Sequence, residues 1–205
     1  MIKVVPTQEQ IARAQELFDF RVLNNSITQG DGNLAGALGE IIVCDYYQAE
    51  HKNTYDYDIV MRNHDGEEVM VDVKTKRHNQ ELTPKPNWAA VVSNYNTHQQ
   101  CDYYCFVGMG YDLSVAYIFG FMQKDDFYEK SIFCKKGEID PFGNGVWTFT
   151  SDCYRMQVKD LLLWVLKLLN TLEAYICSRT FQSPMIPQYA MDAFPSVGYG
   201  GEYPL

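Results

Sequence analysis

The stretch from Tyr55 to Lys74 constrains this chain more than any other. Tyr55-Asp56-Tyr57-Asp58-Ile59-Val60 and Glu68-Val69-Met70-Val71-Asp72-Val73-Lys74 both alternate apolar and polar residues and are rich in β-branched and aromatic side chains. That pattern predicts two strands. Arg62-Asn63-His64-Asp65-Gly66-Glu67 joins them. A three-residue hairpin loop, His64-Asp65-Gly66, sets Gly66 at the left-handed position such loops require. Asn63 then pairs with Glu67, and the same register sets Asp58 opposite Asp72. Opposed residues share a sheet face with Cβ atoms about 5 Å apart. Lys74, two residues beyond Asp72, shares that face. A one-residue slip would send one carboxylate to the other side.

Two facing carboxylates repel unless a cation compensates them. Oxygen ligands at roughly 2.0–2.1 Å around a hydrated ion suit magnesium, with manganese as a substitute. The Val73 carbonyl is a further candidate ligand. Lys74 beside the metal can orient or deprotonate a water, or stabilise developing negative charge. A D-x-K tripeptide alone is common, and paired acids on a hairpin are ordinarily a solvated face. The register sets this one apart, together with Glu40 upstream in a helix-like stretch and an apolar strand downstream.

These residues resemble the PD-(D/E)XK phosphodiesterase superfamily, the restriction-endonuclease-like nucleases. The resemblance runs from about Leu34 to Leu163. It takes in a helix with Gly39-Glu40, strands with Asp58 and with Asp72-Val73-Lys74, strands near Asp102–Val107 and Val115–Phe121, and a strand-to-helix step at Tyr154–Leu161. It implies an α/β fold with a central mixed β-sheet flanked by helices. It also implies a metal-dependent nuclease, with Asp58 and Asp72 as ligands, Lys74 as the catalytic lysine and Glu40 as the added helix acid; the resemblance does not fix the substrate, and the whole chain is read as a magnesium-dependent deoxyribonuclease. Tyr57 stands where the family's name has proline.

Charge opposes that expectation in one respect. The chain carries −9 overall, and affinity for nucleic acid is largely phosphate neutralisation. The imbalance is uneven: residues 1–73 hold 13 acids and 5 bases, whereas residues 74–136 hold 8 bases and 6 acids. Several acids of the first block are the proposed ligands, which a cation would offset. Lys76, Arg77 and the later Lys85 form the concentrated basic segment near the chemistry, read as phosphate contacts to DNA. Weak standalone DNA binding, or delivery by a partner, follows from this balance.

At 205 residues and 46% hydrophobic, the chain suits one domain over residues 1–180. The six cysteines include no C-x-x-C pair, which predicts buried free thiols in a cytoplasmic protein. The N-terminus lacks a signal-peptide pattern. Thr7-Gln8-Glu9-Gln10 reads as a capping box opening a helix to about Asn24, with Ile11, Ala14, Leu17, Phe18 and Val22 inward. A second helix spans about Asn33 to Tyr47, its Ala35, Gly36 and Gly39 permitting close approach to the sheet. Trp88 or Tyr95 is a candidate base-stacking platform, although a tryptophan near a strand is more often core; His98 reads as a surface histidine. Asp125–Tyr128 predicts a short helix and Val146–Thr150 a strand. Residues 160–178 read as a helix apolar nearly all round, too short in its apolar run to span a membrane and suited to a homodimer contact. The tail, 181–205, mixes prolines, glycines and aromatics and suits draping over its own domain or a protein partner.

Two other functions compete with DNA hydrolysis. One is a non-catalytic scaffold or adaptor of the same fold, which need not bind metal. The other is an acidic DNA mimic, which needs its acids spread over an outer face.

Overall fold

The computed structural model describes residues 1–19, 33–52, 54–62, 66–78, 83–143 and 147–161. Among them the fold is mixed α/β. Nine strands lie at β1 (Ile2–Val4), β2 (Glu50–His51), β3 (Ile59–Arg62), β4 (Glu68–His78), β5 (Ala89–Ser93), β6 (Tyr103–Gly110), β7 (Ala116–Gln123), β8 (Ile132–Cys134) and β9 (Cys153–Gln157). Helices are α1 (Gln8–Asp19), α2 (Asn33–Tyr47) and α3 (Lys124–Lys130), with a 3₁₀ turn at Asn94–His98.

A six-stranded sheet runs β1-β7-β6-β4-β3-β2, and a three-stranded sheet runs β5-β9-β8. In the larger sheet only the central pair β4/β6 is parallel; the other neighbours are antiparallel. Sequence reading foresaw one mixed sheet; the second, smaller sheet is a finding of the structure. β4 is the pivot, an 11-residue strand whose alternating residues face two different cores. Val71 and Val73, with Cys105 and Val107 of β6, face the helices and pack with Ala14, Leu38, Ile41 and Ile42. Asp72, Lys74 and Lys76 face the other way, beside Tyr104, Phe106 and Gly108. There Tyr104 and Phe106 join Ala90, Val92, Phe119, Phe127 and Met156 in a second core against the smaller sheet.

Local chemistry explains the elements. The capping box forms: Gln10 N–H donates to Thr7 Oγ1 at 3.1 Å and Thr7 N–H donates to Gln10 Oε1 at 3.0 Å. Ala14 is buried and Ile11 and Leu17 pack on the core. Gln10 and Arg13 of α1 both reach Asp45 of α2, at 2.8 and 3.0 Å, tying the helices together. At Gly39 a Cβ would sit 2.0 Å from Thr75 Oγ1, so α2 lies on β4 through bare backbone. Gly36 has open space at that position and plays no such part.

Two expectations change. The first strand of the hairpin starts at Ile59, not Tyr55, because the Thr54 hydroxyl accepts the Asp56 and Tyr57 amides and turns the chain there. The polar run after β5 opens with a 3₁₀ turn, Asn94–His98. The segment near Trp147 contributes one isolated bridge, Ile139 to Thr148, in place of a strand. Cys44, Cys101, Cys105, Cys134 and Cys153 are buried free thiols. No helix among the described residues is long and apolar enough to cross a membrane. The expected continuation of the first helix to Asn24, with Val22, and likewise loop residues 63–65, Cys177, most of the 160–178 segment and the 181–205 tail lie outside the described residues.

Candidate functional site

The hairpin register is the foundation. Ile59 pairs with Val71 and Arg62 with Glu68, and Gly66 has φ +81°. Carried one step beyond Ile59, that register sets Asp58 beside Asp72. β3 begins at Ile59, so β4 runs on without that neighbour, leaving a notch at its edge. The backbone of Asp58 is tied on both sides: its N–H donates to Val71 O at 3.0 Å and its carbonyl accepts from Lys52 N–H at 2.8 Å. Its Oδ2 accepts the Val73 amide at 2.7 Å. A strand residue's N–H and C=O point to the same edge, so the Val73 carbonyl faces the notch as well.

Asp72 is 2% exposed. Its Oδ2 lies against the Lys74 ammonium as an ion pair, but without the alignment of a hydrogen bond. Lys74 is in turn held on three sides. Its Nζ donates to Gln99 Oε1 at 3.1 Å and stands 5.8 Å from the centroid of the Tyr104 ring. Gln99 is itself anchored, its Nε2 donating to Tyr55 O at 2.9 Å and its carbonyl accepting from Lys124 Nζ. Gln100 N–H donates to Asp56 Oδ1 at 3.1 Å, closing the link over the lysine. Below it, the Tyr104 and Tyr128 hydroxyls share a 2.8 Å hydrogen bond, and burial raises the pKa of both phenols.

Glu40 approaches from the helix side, its Oε2 3.1 Å from His51 Nε2. The electrostatic outcome falls on Asp58, whose pKa stands well above the usual carboxylate value. Burial is the main cause, followed by the negative charges of Glu40 and Asp72; Lys74 opposes them. Although Asp58 keeps some exposed surface, the protein packed around its carboxylate and two neighbouring acids make its charge expensive.

The basic residues do not form one strip. Lys76 shares the face of Asp72 and Lys74, four residues along from Asp72. Arg77 lies on the opposite face, where it donates to Tyr111 O at 2.6 Å and stacks 4.4 Å from the Tyr111 ring centroid. Lys76 and Lys85 instead line a cavity with His78, Trp88 and Arg155. Trp88 stacks on His78 with ring centroids 3.4 Å apart and packs on the second core, whereas Tyr95 is 68% exposed. Sequence reading missed Gln99 and His51. The signal for Gln99 was only its place in a polar run before β6, and His51 carried none.

No set of three His, Cys, Asp or Glu side chains among the described residues is already gathered as a metal cage. Magnesium, however, is commonly held by one or two carboxylates with waters completing its shell. Asp58 and Asp72 fit that demand: they are opposed, Asp72 is buried with its Oδ2 lacking an aligned hydrogen bond, and the half-buried Asp58 is crowded by like charge. Compared with protein-family models and with curated proteins, the sequence finds no match.

Proposed function

We propose that this protein is a metal-dependent nuclease hydrolysing DNA phosphodiester bonds on a restriction-endonuclease-like core. One observation carries the reading: Asp58 is crowded by Asp72 and Glu40 while Lys74 is fixed over Asp72 by Gln99. Folding alone gives no reason to bury like charges together, since each adds a desolvation cost. The mixed sheet, with a parallel central pair, an antiparallel hairpin and α2 on one face, supports the fold assignment.

Asp58 and Asp72, with the Val73 carbonyl and Glu40, would hold magnesium or manganese. Bound there, the ion supplies Lewis-acid stabilisation to a phosphate oxygen and lowers the pKa of a water. Lys74 is placed to orient that water and to stabilise the negative charge that develops on the phosphate. Gln99 keeps the ammonium in position, and Tyr104 limits water on its lower side. His51 holds the Glu40 carboxylate toward the notch.

The test is incubation with circular single-stranded and supercoiled double-stranded DNA, in magnesium, in manganese and in EDTA, alongside Asp72→Ala. Cleavage that needs both metal and Asp72 supports the proposal; loss of closed circles shows internal cutting. A second reading, the non-catalytic scaffold, draws on the direct Lys74–Asp72 ion pair, which neutralises the acid without a metal. It predicts no cleavage and no magnesium-linked rise in Tm, whereas a ligand that binds the native state alone raises Tm. The DNA-mimic reading loses ground because Asp58 and Asp72 sit in the notch and not on an outer face.

A further inference from the structure

The second feature of β4 is the cavity at its far end, about 270 Å³ in volume, lined by Lys76, Lys85, Arg155 and Asp140, with Trp88 and His78 on its wall. Arg155 is the telling residue. Its side chain is 1% exposed, and three contacts fix it: Nε is 2.9 Å from Asp140 Oδ1, Nη2 donates to Asn87 O at 3.2 Å, and Cζ lies 4.6 Å from the Phe142 ring centroid. Its Nη1 is buried with no hydrogen-bond partner, as is His78 Nε2. Asp140 is occupied, Oδ1 also accepting the Phe142 amide at 3.0 Å.

Two cationic side chains, the buried Arg155 and the half-buried Lys76, therefore face this space with one carboxylate, in a chain of net charge −9. The Lys76 ammonium is destabilised chiefly by burial and next by Arg155. Burial also holds the His78 imidazole near pKa 4, hence neutral at pH 7. A buried, oriented guanidinium with an unused N–H beside a half-buried ammonium is the donor set that a phosphate oxyanion fits.

We propose that Arg155 and Lys76 form a pocket for a terminal phosphate monoester of a nucleic acid strand. A monoester presents three terminal oxygens and nearly two negative charges at neutral pH, so the Arg155 Nη1–H and the Lys76 ammonium can each take one with a third to spare, where a diester offers only two non-bridging oxygens. The identity of the phosphate's carrier rests on the nuclease reading; the pocket itself does not. β-Strands rise about 3.3 Å per residue, so Lys76 lies roughly 13 Å from Asp72 along one face. A strand end held at Lys76 and Arg155 would lay an internal phosphodiester at the carboxylate notch, so linear substrates would be cut at a fixed short distance from a phosphorylated end.

The test uses the full chain in EDTA, where cleavage is absent. Tryptophan fluorescence is followed during titration with sodium phosphate, then with one oligonucleotide bearing a 5′-phosphate, a 3′-phosphate or hydroxyls at both ends. The expected result is saturable phosphate binding, and one phosphorylated oligonucleotide bound at least tenfold more tightly than the hydroxyl form. Lys76→Gln should remove that tenfold preference, and Arg155→Lys, which keeps charge and bulk, should weaken it. Absence of saturable phosphate binding, or an unchanged preference in Lys76→Gln, overturns the pocket. Phosphate binding with no preference among the oligonucleotides overturns the strand-end assignment in favour of free phosphate. Circular DNA has no ends, so its metal-dependent cleavage judges the nuclease reading separately. Cleaved circles without phosphate binding sink the pocket alone; phosphate binding without cleavage sinks the nuclease alone.

Discussion

The two halves of β4 differ in sign. Around Asp72 the strand meets Asp58 and Glu40, and acids crowd until the Asp58 pKa rises. Around Lys76 it meets Arg155 and Lys85, and the Lys76 ammonium is destabilised. Both regions lie on the same face of one strand. Each gathers like charges that one opposite charge within the fold offsets in part, Lys74 at the first and Asp140 at the second. The strand therefore carries a surplus of negative charge toward one end and of positive charge toward the other. On the proposed reading, a divalent metal answers the first and a DNA phosphate the second.

Substitutions at each end test that contrast. The largest stability effect should come from Arg155→Met, which leaves the Asp140 carboxylate, 10% exposed, without its cation. Loss of one partner of a buried pair costs about 3–5 kcal/mol, readable in urea denaturation. An unchanged midpoint would show that Asp140 and Arg155 are not a true pair.

Next comes Lys74→Ala, expected to cut cleavage by about 10²–10³-fold, the range for loss of one oriented electrostatic donor. Circular dichroism should stay unchanged. Substantial metal-dependent activity remaining in this variant would remove Lys74 from the mechanism.

Gln99→Ala tests the positioning of that lysine. Cleavage should fall about tenfold, equal to 1.4 kcal/mol, with the larger loss in kcat. Gln99→Glu, which keeps an oxygen acceptor for Lys74, should recover part of it. Equal activity in all three would reduce Gln99 to packing.

The smallest effect has a definite sign. The folded-state pKa of Asp58 is raised, so the native state binds its proton more tightly than the unfolded chain. Its contribution to stability is therefore present at low pH and lost as pH rises from the ordinary carboxylate range, about 4, through the raised folded value. Asp58→Asn should raise Tm at pH 7 in EDTA, and the gain should vanish below about pH 4. A gain independent of pH would mean that charge crowding is not the cause.

Much of the notch was legible because alternation has a period of two and a turn glycine fixes register. Once Gly66 is placed, Asp58, Asp72 and Lys74 follow without knowledge of the rest of the chain. The same alternation puts Arg77 on the opposite face from Lys76, so the single basic strip was excluded by a rule already in use. The late start of β3 was not legible, because it depends on the Thr54 hydroxyl competing for the Asp56 and Tyr57 amides. Gln99 was hidden for a different reason: it meets Lys74 from 25 residues away, and no local pattern encodes that meeting. The Arg155 pocket was least visible. Arg155 sits in a short, mostly buried strand, its carboxylate partner lies on an irregular segment, and the second sheet that unites them is a tertiary outcome.

Magnesium titration by calorimetry at pH 7, in two buffers of different ionisation enthalpy, tests the central claim most directly. The crowding of Asp58 predicts one saturable site, any proton exchanged being released and not taken up, and loss of the site in Asp72→Asn. No binding, or binding unchanged in Asp72→Asn, would contradict the notch as a cation site and leave the Lys74–Asp72 pair as a structural ion pair.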